Sequence, residues 1–534
     1  MNKIQNSSLL NFSRLNSLNN FSYILFICSP LIFYFGEKSF IAFDEGYYAL
    51  QGKWVLEYNN WLNPQWFEQI QFDRPPFLPI LIAVFYKLFG ISYFSAHLPI
   101  FISSIIVLYF TFKIHGLLIG ENFKWLSPLI LITTLLWINF THLVTQDILL
   151  VALEIIGIYF IIKSSEYSKN HELILSSFWI GLCFFLKTYM VIIPIISLSP
   201  YILIYKRNLL TKTYFYIGFL LGFAPFIIWS TLCLNLYGLD FINGINNKLI
   251  SLSKSNTFSQ PFYYYLWNLP ISFLPWTPFS IYGLRIIKKN YNAQKHYLIF
   301  IYPLFLIFLL SLFSTKVPYY SLQAFPFLAI SASYGLLHFS SNINSKQKRI
   351  INKTVFSVLF VFISSFVYIL VKDNFLNDEK IKIIIFFTAI LFLFAPTLLI
   401  NIFIQKKLKV FAFLLGPYLA TSLLVQSGQL NNRSPEIKQA MKNLNNSQLN
   451  NNSQTFVLTP EEIKGKELSE LIKISLYSKN TLLRVKDIKE IKSNEYLWIT
   501  NENINKFQDL RTLYKANKIS KWVLAKKISK NSQL

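Results

Sequence analysis

The sequence predicts an all-α polytopic membrane protein of about 13 transmembrane helices, followed by a small extracytoplasmic α/β domain. Three observations support this fold class. Hydrophobic residues make up 53% of the 534 residues and charged residues only 14%, whereas a soluble domain has about 25% charged residues. The mean hydropathy is +0.42, and the apolar residues fall into long separate runs. From about residue 431 the composition changes to Asn, Ser, Lys and Glu.

The charge and cysteine patterns agree with a membrane protein. A formal net charge of +25 would suggest a nucleic-acid partner in a soluble protein. Here the basic residues form short clusters between apolar runs, which is typical of orientation by the positive-inside rule. We therefore expect no nucleic-acid partner. Cys28, Cys183 and Cys233 lie inside apolar segments without metal-ligand spacing, so we expect buried, inert thiols.

Thirteen apolar segments approach the roughly 20 residues that cross a membrane. They are residues 21–40, 93–119, 125–143, 147–163, 172–187, 189–205, 213–237, 263–286, 296–314, 318–338, 354–372, 380–404 and 408–426. Residues 1–20 form a polar tail, which we place in the cytoplasm. With that orientation the basic clusters at 206–212, 285–295, 346–353 and 406–409 lie inside. The Asn-, Ile- and Lys-rich composition favours a bacterial plasma membrane.

A further apolar run, Phe77–Phe89, is short and contains Pro79 and Lys87. We interpret it as a juxtamembrane or re-entrant helix in a first outer loop of about residues 41–92. Thirteen spans place the C-terminus outside. Residues 431–453 predict an Asn-rich linker and 454–534 an α/β domain, with strands at 455–458, 481–485 and 495–499 and helices at 460–477 and 504–517. We expect this domain to serve packing or acceptor contact.

The first outer loop carries an acidic pair, Asp44-Glu45, directly after a predicted span, and the run Asp73-Arg74-Pro75-Pro76 further on. Carboxylates are costly beside hydrocarbon, which favours a functional interpretation. A solvated helix N-terminus is the structural alternative.

The order of short motifs resembles the protein O-mannosyltransferase and lipid A aminoarabinose transferase family of C-type membrane glycosyltransferases. The matching segments are Asp44–Ala49, Asp73–Pro76, Lys87–Gly90, Thr145–Asp147, Phe184–Thr188, Gln260–Tyr265 with Phe273–Trp276, and Lys316–Tyr320 followed by Pro326. The resemblance covers about residues 20–340. Each motif alone is weak, but their common order is specific.

The resemblance implies a polyprenyl-phosphate sugar donor, a hydroxyl acceptor on a lipid, glycan or protein, and an inverting displacement at the outer face. Such chemistry needs a base for the acceptor hydroxyl and cations for the departing phosphate. Asp44 is the candidate base. Glu45 is a weaker candidate that could only orient the loop. Asp147 could position the acceptor or a cation, and a helix N-cap is its structural alternative.

Arg74 and Lys316 are the first candidates for phosphate binding, with Lys187 as a third cation. Interfacial snorkelling is the alternative for Lys316, and an ion pair of Asp73 with Arg74 is the alternative for the loop. The larger set of candidate phosphate contacts also includes Tyr319, Tyr320 and Lys248. An aromatic belt explains the two tyrosines equally well.

Aminoarabinose-type relatives are similar in placing a metal between the acid of the acid-base-Pro-Pro motif and a later histidine. The corresponding loop here, about residues 239–259, contains no histidine. We therefore commit to no metal and no other cofactor, and a divalent metal, with Asp73 as the one weak candidate ligand, is left as the alternative. Two rival functions are a transporter or flippase of lipid-linked sugars and a polysaccharide ligase. Charges at span ends, and no internal repeat, favour the transferase.

Overall fold

The computed structural model describes residues 27–528 with gaps at 34, 37, 64, 67–68, 71, 73, 165–168, 255–258, 291–292, 344, 373–376, 396–397, 399–405, 431, 447–454, 460–462, 464, 480–481, 508, 515–518 and 520. Most of this chain is helical. A short helix over residues 27–32 precedes the first outer loop.

The described residues of the outer loop and of the first half of the membrane part form ten α-helices. They are α1 (Glu45–Glu57), α2 (Phe77–Phe89), α3 (Tyr93–Leu118), α4 (Leu126–Ile132), α5 (Leu135–Thr141), α6 (Gln146–Lys163), α7 (Asn170–Lys187), α8 (Ile192–Tyr205), α9 (Thr213–Tyr237) and α10 (Leu239–Lys254).

The second half continues with further helices. They are α11 (Tyr264–Ser272), α12 (Thr277–Asn290), α13 (Tyr302–Leu312), α14 (Phe325–Asn342), α15 (Ser345–Lys372), α16 (Asn377–Phe394) and α17 (Lys406–Gln426). A turn of helix over Ala293–His296 precedes α13, and a 3₁₀ turn over Pro318–Ala324 precedes α14.

Six helical segments of the described chain are long and apolar enough to cross a membrane. They are Tyr93–Leu118, Asn170–Tyr205, Thr213–Tyr237, Pro318–Asn342, Ser345–Phe366 and Leu408–Gln426. A seventh crossing is obtained if α5 and α6, which meet at 105°, form one broken span. The polytopic membrane fold is therefore confirmed. The count of 13 stays a prediction, because only these six or seven segments are long and apolar enough within the described residues, and residues 21–26 of the first predicted span lie outside them.

Two predicted spans are each broken into two helices, so single straight spans are wrong there. Segment 125–143 divides into α4 and α5, where the Thr133 hydroxyl donates to the Leu129 carbonyl at 2.8 Å and so competes with the helix ladder. Segment 263–286 divides into α11 and α12 around Pro275, which has no amide N–H to continue a helix. Segments 172–187 and 189–205 correspond to α7 and α8, with a sharp break at Thr188 (φ 47°).

The first outer loop places two helices against each other. Helix α2 begins after Pro75-Pro76, as predicted for the run Phe77–Phe89, and ends at Gly90, whose φ of 80° suits glycine. Helix α1 packs on α2 through Gly52, where an added Cβ would lie 2.6 Å from Cγ2 of Ile82. Between the two helices lies a short ribbon of β1 (Gln65–Trp66) and β2 (Gln69–Ile70).

The C-terminal domain is the predicted α/β unit. It contains helices α18 (Pro435–Asn446) and α19 (Gly465–Tyr477) and strands β3 (Thr455–Leu458), β4 (Leu482–Val485), β5 (Tyr496–Thr500), β6 (Leu510–Tyr514) and β7 (Trp522–Lys527). The sheet order is β4-β3-β5-β7-β6. Strand β3 pairs in parallel with β4 and β5, and β7 pairs antiparallel with β5 and β6.

Two expectations about this region need correction. Residues 504–517, predicted as a helix, contain a 3₁₀ turn and strand β6, because pairing with β7 outweighs local propensity. Residues 435–446, predicted as part of a linker, form α18, which buries Ile437, Ala440, Met441 and Leu444 along one face.

Candidate active site

Asp44 is the N-cap residue of α1 and has an unusual backbone conformation. Its φ is 59° and its ψ is −84°, a region that costs free energy for a residue with a side chain. The amide of Gly46 donates to the Ile41 carbonyl at 3.0 Å, and the amide of Tyr48 donates to the Asp44 carbonyl at 3.1 Å. These two bonds hold the turn, and the Asp44 side chain is exposed. Strained residues of this kind cluster at functional sites.

Glu45 has a different environment although it is the next residue. Its side chain is 0% exposed. Its Oε1 lies 2.6 Å from Nε2 of His97, and its Oε2 accepts from the Ile41 amide at 2.9 Å. The Val144 amide also donates to Oε1, at 3.4 Å. These contacts are those of a structural carboxylate that ties the first loop to α3.

Asp147 and Lys187 form an ion pair between two helix ends. Asp147 is the second residue of α6 and Lys187 is the last residue of α7. The Lys187 Nζ lies 2.6 Å from Asp147 Oδ1, and their side chains are 13% and 9% exposed. The N-cap of α6 is Thr145, so the N-cap alternative for Asp147 is wrong. The Lys187 ammonium also lies 5.4 Å from the ring centroid of Tyr320.

Arg74 is held by the tyrosine pair of α1. One guanidinium nitrogen donates to the Tyr48 hydroxyl, and the guanidinium carbon lies 5.4 Å from the ring centroid of Tyr47 and 5.4 Å from that of Tyr48. Stacking of this kind fixes the plane of the cation. Asp73, its proposed partner, lies outside the described residues.

The Tyr48 hydroxyl is influenced by the charges of four predicted site residues. Burial raises the pKa of Tyr48; the charges of Arg74 and Lys187 oppose this rise, and those of Asp44 and Asp147 add to it. All four side chains, predicted from separate motifs, therefore lie within electrostatic reach of one hydroxyl. The charges of Asp147, Arg74 and Asp44 also act on Tyr320.

Tyr319 and Tyr320, the two tyrosines of the Lys316–Tyr320 motif, lie near the charged residues of this site. Their ring centroids are 5.2 Å apart in an edge-to-face arrangement, and the Tyr319 ring lies 5.1 Å from that of Phe140 on α5. Tyr319 is also acted on by the charges of Asp147 and Asp44. Tyr319 and Tyr320 therefore form an aromatic wall beside the Asp147–Lys187 pair.

Lys316 lies in a different setting from the other cations. The residue is 5% exposed, and its Nζ donates to the carbonyl oxygens of Gln260, at 2.8 Å, and Phe313. Burial lowers the pKa of Lys316. Interfacial snorkelling, the alternative for Lys316, would place the ammonium in water, whereas the structure buries it against two carbonyl groups. An ammonium group has three N–H donors, and two of them bind these carbonyls.

The remaining candidates are not tested by the structure. The side chain of Lys248, on α10, lies outside the described residues, as does Asp73. Within the described part of the chain, no group of three or more His, Cys, Asp and Glu side chains could hold a metal ion. All three cysteines are free and buried.

Sequence reasoning missed two residues of this region. His97 binds Glu45 across 52 positions, and Tyr48 contacts Arg74 across 26. Tyr48 lies inside the Asp44–Ala49 motif, so its position was a usable signal. No spacing rule connects His97 with the outer loop.

Part of the sequence matches a known protein family. Residues 73–229 match the family model described as dolichyl-phosphate-mannose-protein mannosyltransferase. An uncharacterized protein of Aquifex aeolicus (strain VF5) is 23% identical over 403 residues, covering 72% of this chain and 74% of the relative.

Solved structures show the same fold. The crystal structure of ArnT from Cupriavidus metallidurans bound to undecaprenyl phosphate superposes with a TM-score of 0.74 at 15% identity, covering 95% of this chain and 98% of that one. The apo state of the same protein gives a TM-score of 0.73 at 14% identity with the same coverage. The chain thus resembles the C-type membrane glycosyltransferases of the mannosyltransferase and ArnT type, in sequence over residues 73–229 and in fold over nearly its whole length.

Proposed function

We propose that this protein is a membrane glycosyltransferase that moves a sugar from a polyprenyl-phosphate donor to a hydroxyl acceptor, with inversion at the anomeric carbon. The proposal rests on the contact of Arg74 with Tyr48, the ion pair of Lys187 with Asp147 and the influence of the charges of Asp44, Arg74, Asp147 and Lys187 on the Tyr48 hydroxyl. The undecaprenyl phosphate bound by the ArnT of C. metallidurans supports a donor of this class.

In the proposed reaction Asp44 is the base. Its carboxylate takes the proton of the acceptor hydroxyl as that oxygen forms a bond to the anomeric carbon. The bond between the anomeric carbon and the phosphate oxygen breaks, and its electron pair leaves with the polyprenyl phosphate. The exposed Asp44 carboxylate suits this role, whereas the buried Glu45, already bound to His97, does not.

Arg74 and Lys187 are the proposed ligands of the departing phosphate. The planar guanidinium of Arg74, fixed by Tyr47 and Tyr48, can bind two phosphate oxygens at once. Lys187 can bind another while keeping its ion pair, because an ammonium has three donors. Asp147 then positions Lys187. Lys316 and Lys248 are further proposed phosphate ligands, and Tyr319 and Tyr320 line the pocket.

The proposed site faces the extracytoplasmic side of a bacterial plasma membrane, with the N-terminus in the cytoplasm. This orientation rests on the basic clusters, which share one side when the N-terminus is inside. Outside placement also leaves the site beside the C-terminal domain, where acceptors would arrive.

A comparison of membrane glycolipids and glycans tests the function. Mass spectrometry of cells with and without the gene should reveal a product that carries one additional sugar only when the gene is present. A parallel accumulation of the polyprenyl-phosphate sugar is expected in the deletion strain. If the two strains have the same glycolipids, glycans and glycoproteins, the proposal is wrong.

A further inference from the structure

We infer that the C-terminal domain is a positioning element for Asp44, and that Lys53 is the positioning residue through which it acts. The inference rests on the proposed function, because it explains how the proposed base is held. It adds a specific role to the packing or acceptor contact that we expect of this domain.

Lys53 joins α1 to the end of a helix in the C-terminal domain. Lys53 is 1% exposed. Its Nζ donates to the carbonyl oxygen of Ser475 at 2.9 Å and to that of Ser478 at 2.7 Å. Ser475 lies in the last turn of α19, and Ser478 follows its end. The final carbonyls of a helix have no partner within the helix and carry its negative dipole end. A buried ammonium supplies both the donors and the charge that this end requires.

The burial of Lys53 indicates that the contact is specific. Burial lowers the pKa of Lys53, and Glu57, 3.7 Å away, opposes this change. A lysine is seldom fully buried unless its charge is compensated. Here compensation comes from two carbonyl groups of another domain and one carboxylate of its own helix. Loss of the ammonium would therefore leave the end of α19 without its partner.

A second set of contacts holds the segment just before Asp44. The Phe40 amide donates to the Tyr477 hydroxyl at 2.9 Å, and the Ser434 hydroxyl donates to the Phe40 carbonyl at 2.6 Å. Ser39 donates to the side-chain oxygen of Asn432 at 2.6 Å. Each of these three bonds joins the loop to the chain that follows the last membrane helix. The segment is thus tied on both sides of Asp44.

Close packing between the two ties leaves little freedom. At Gly46 an added Cβ would lie 2.5 Å from the Ile41 carbonyl oxygen and 3.0 Å from Cγ2 of Ile472 on α19. On the opposite side Glu45 binds His97 of α3. The first turn of α1 is therefore held between the membrane part and α19. The strained φ of 59° at Asp44 persists because its surroundings fix it.

Substitution of Lys53 in the full-length protein tests the inference. In cells, Lys53→Met should lower the gene-dependent product by about 10- to 100-fold at equal protein level, since small misplacement of a catalytic group has effects of this size. Lys53→Arg should restore most of the product. The control is Lys521→Met, which removes a half-exposed lysine of the C-terminal domain that pairs with Glu502 and not with α1. Product at the wild-type level in Lys53→Met, or no restoration by Lys53→Arg, would overturn the inference.

Hydrogen exchange of the purified protein supplies a readout that does not depend on activity. Lys53→Met should accelerate exchange at the amides of Gly46 and Tyr48, while strands β3, β5 and β7 keep their protection. Tyr477→Phe, which keeps the ring and removes one bond to Phe40, should accelerate the same amides to a smaller extent. Acceleration throughout the domain, or no change at Gly46 and Tyr48, contradicts a positioning role. If the wild type makes no product, the proposed function fails, while this exchange experiment still decides whether the domain holds the loop.

Discussion

The ammonium nitrogen of Lys187 lies 2.6 Å from a carboxylate oxygen of Asp147, although the two residues are 40 positions apart. The pair joins the end of α7 to the start of α6. Both side chains are largely buried, so each charge depends on the other for compensation.

Single substitutions in this pair should cost more than the double substitution. We expect Asp147→Asn and Lys187→Met each to lower the free energy of unfolding by about 3 kcal/mol. This is the lower end of the range for a buried ion pair that loses one partner. The double variant should recover part of this loss, because neither charge is left alone. Thermal unfolding in detergent measures the effect. Additive losses would show that the two groups do not depend on each other.

Asp44→Asn should remove activity without affecting the fold. We expect the product to fall by about 10²- to 10⁴-fold, the usual contribution of a general base, while Tm stays at the wild-type value because the carboxylate is exposed. Mass spectrometry of the product and thermal unfolding measure the two quantities. Asp509→Asn, in the C-terminal domain, is the matched control. Wild-type product from the Asp44→Asn variant would exclude Asp44 as the base.

Glu45→Gln should have the opposite effect. Glutamine has one acceptor oxygen where Glu45 has two, so it cannot accept from both the Ile41 amide and the Val144 amide, and part of a buried network loses its partner. We expect a marked fall in Tm and in the amount of folded protein. Product per folded molecule should change much less than in Asp44→Asn. The reverse pattern would assign the base to Glu45.

Arg74→Lys and Tyr48→Phe separate charge from geometry at the phosphate site. The lysine keeps the charge but loses the planar fork and the stacking on Tyr47. We expect undecaprenyl phosphate to bind about 10-fold more weakly to Arg74→Lys, a loss of about 1.4 kcal/mol. Tyr48→Phe removes one hydrogen bond to the guanidinium and should weaken binding by a smaller factor. Titration of the purified protein with undecaprenyl phosphate measures both; equal affinity in all three proteins contradicts the assignment.

Lys38 should make the stability of the protein depend on pH. Burial lowers the pKa of Lys38 from 10.5 to about 7, opposed in part by the charge of Glu45. Between these values the unfolded chain binds more protons than the folded one, so stability rises with pH from about 7 upward. We expect Tm in detergent to increase by a few degrees from pH 7 to pH 9. Lys38→Met should flatten this rise, whereas the exposed Lys346→Met should leave it unchanged.

Short motifs in the sequence identified most of the charged residues of the candidate site. Asp44, Arg74, Asp147 and Lys187 each lie in a short segment of recognisable order, and the charges of all four act on the Tyr48 hydroxyl. Helices longer than about 18 residues were also predicted well, because apolar length alone identifies them. Tertiary competition explains one error, because the strand over Leu510–Tyr514 depends on pairing with β7 that no local pattern contains. The breaks at Thr133 and Pro275 have local causes, which a prediction from apolar length alone did not weigh.

Contacts between residues far apart in the sequence were also not predicted. Glu45 and His97 are 52 residues apart, and Lys53 and Ser475 are 422 apart. Such pairs carry no common spacing, and only the assembled fold shows that they meet. The same reason left the role of the C-terminal domain undefined at the level of sequence.

The 422 residues between Lys53 and Ser475 also set an order of events during synthesis. Ribosomes add about 5–20 residues per second, so α1 exists for roughly 20–80 s before its partner helix emerges. During that interval the membrane helices can insert while the turn at Asp44 lacks its outer support. The contact between Lys53 and α19 can therefore form only after almost the whole chain has been synthesised.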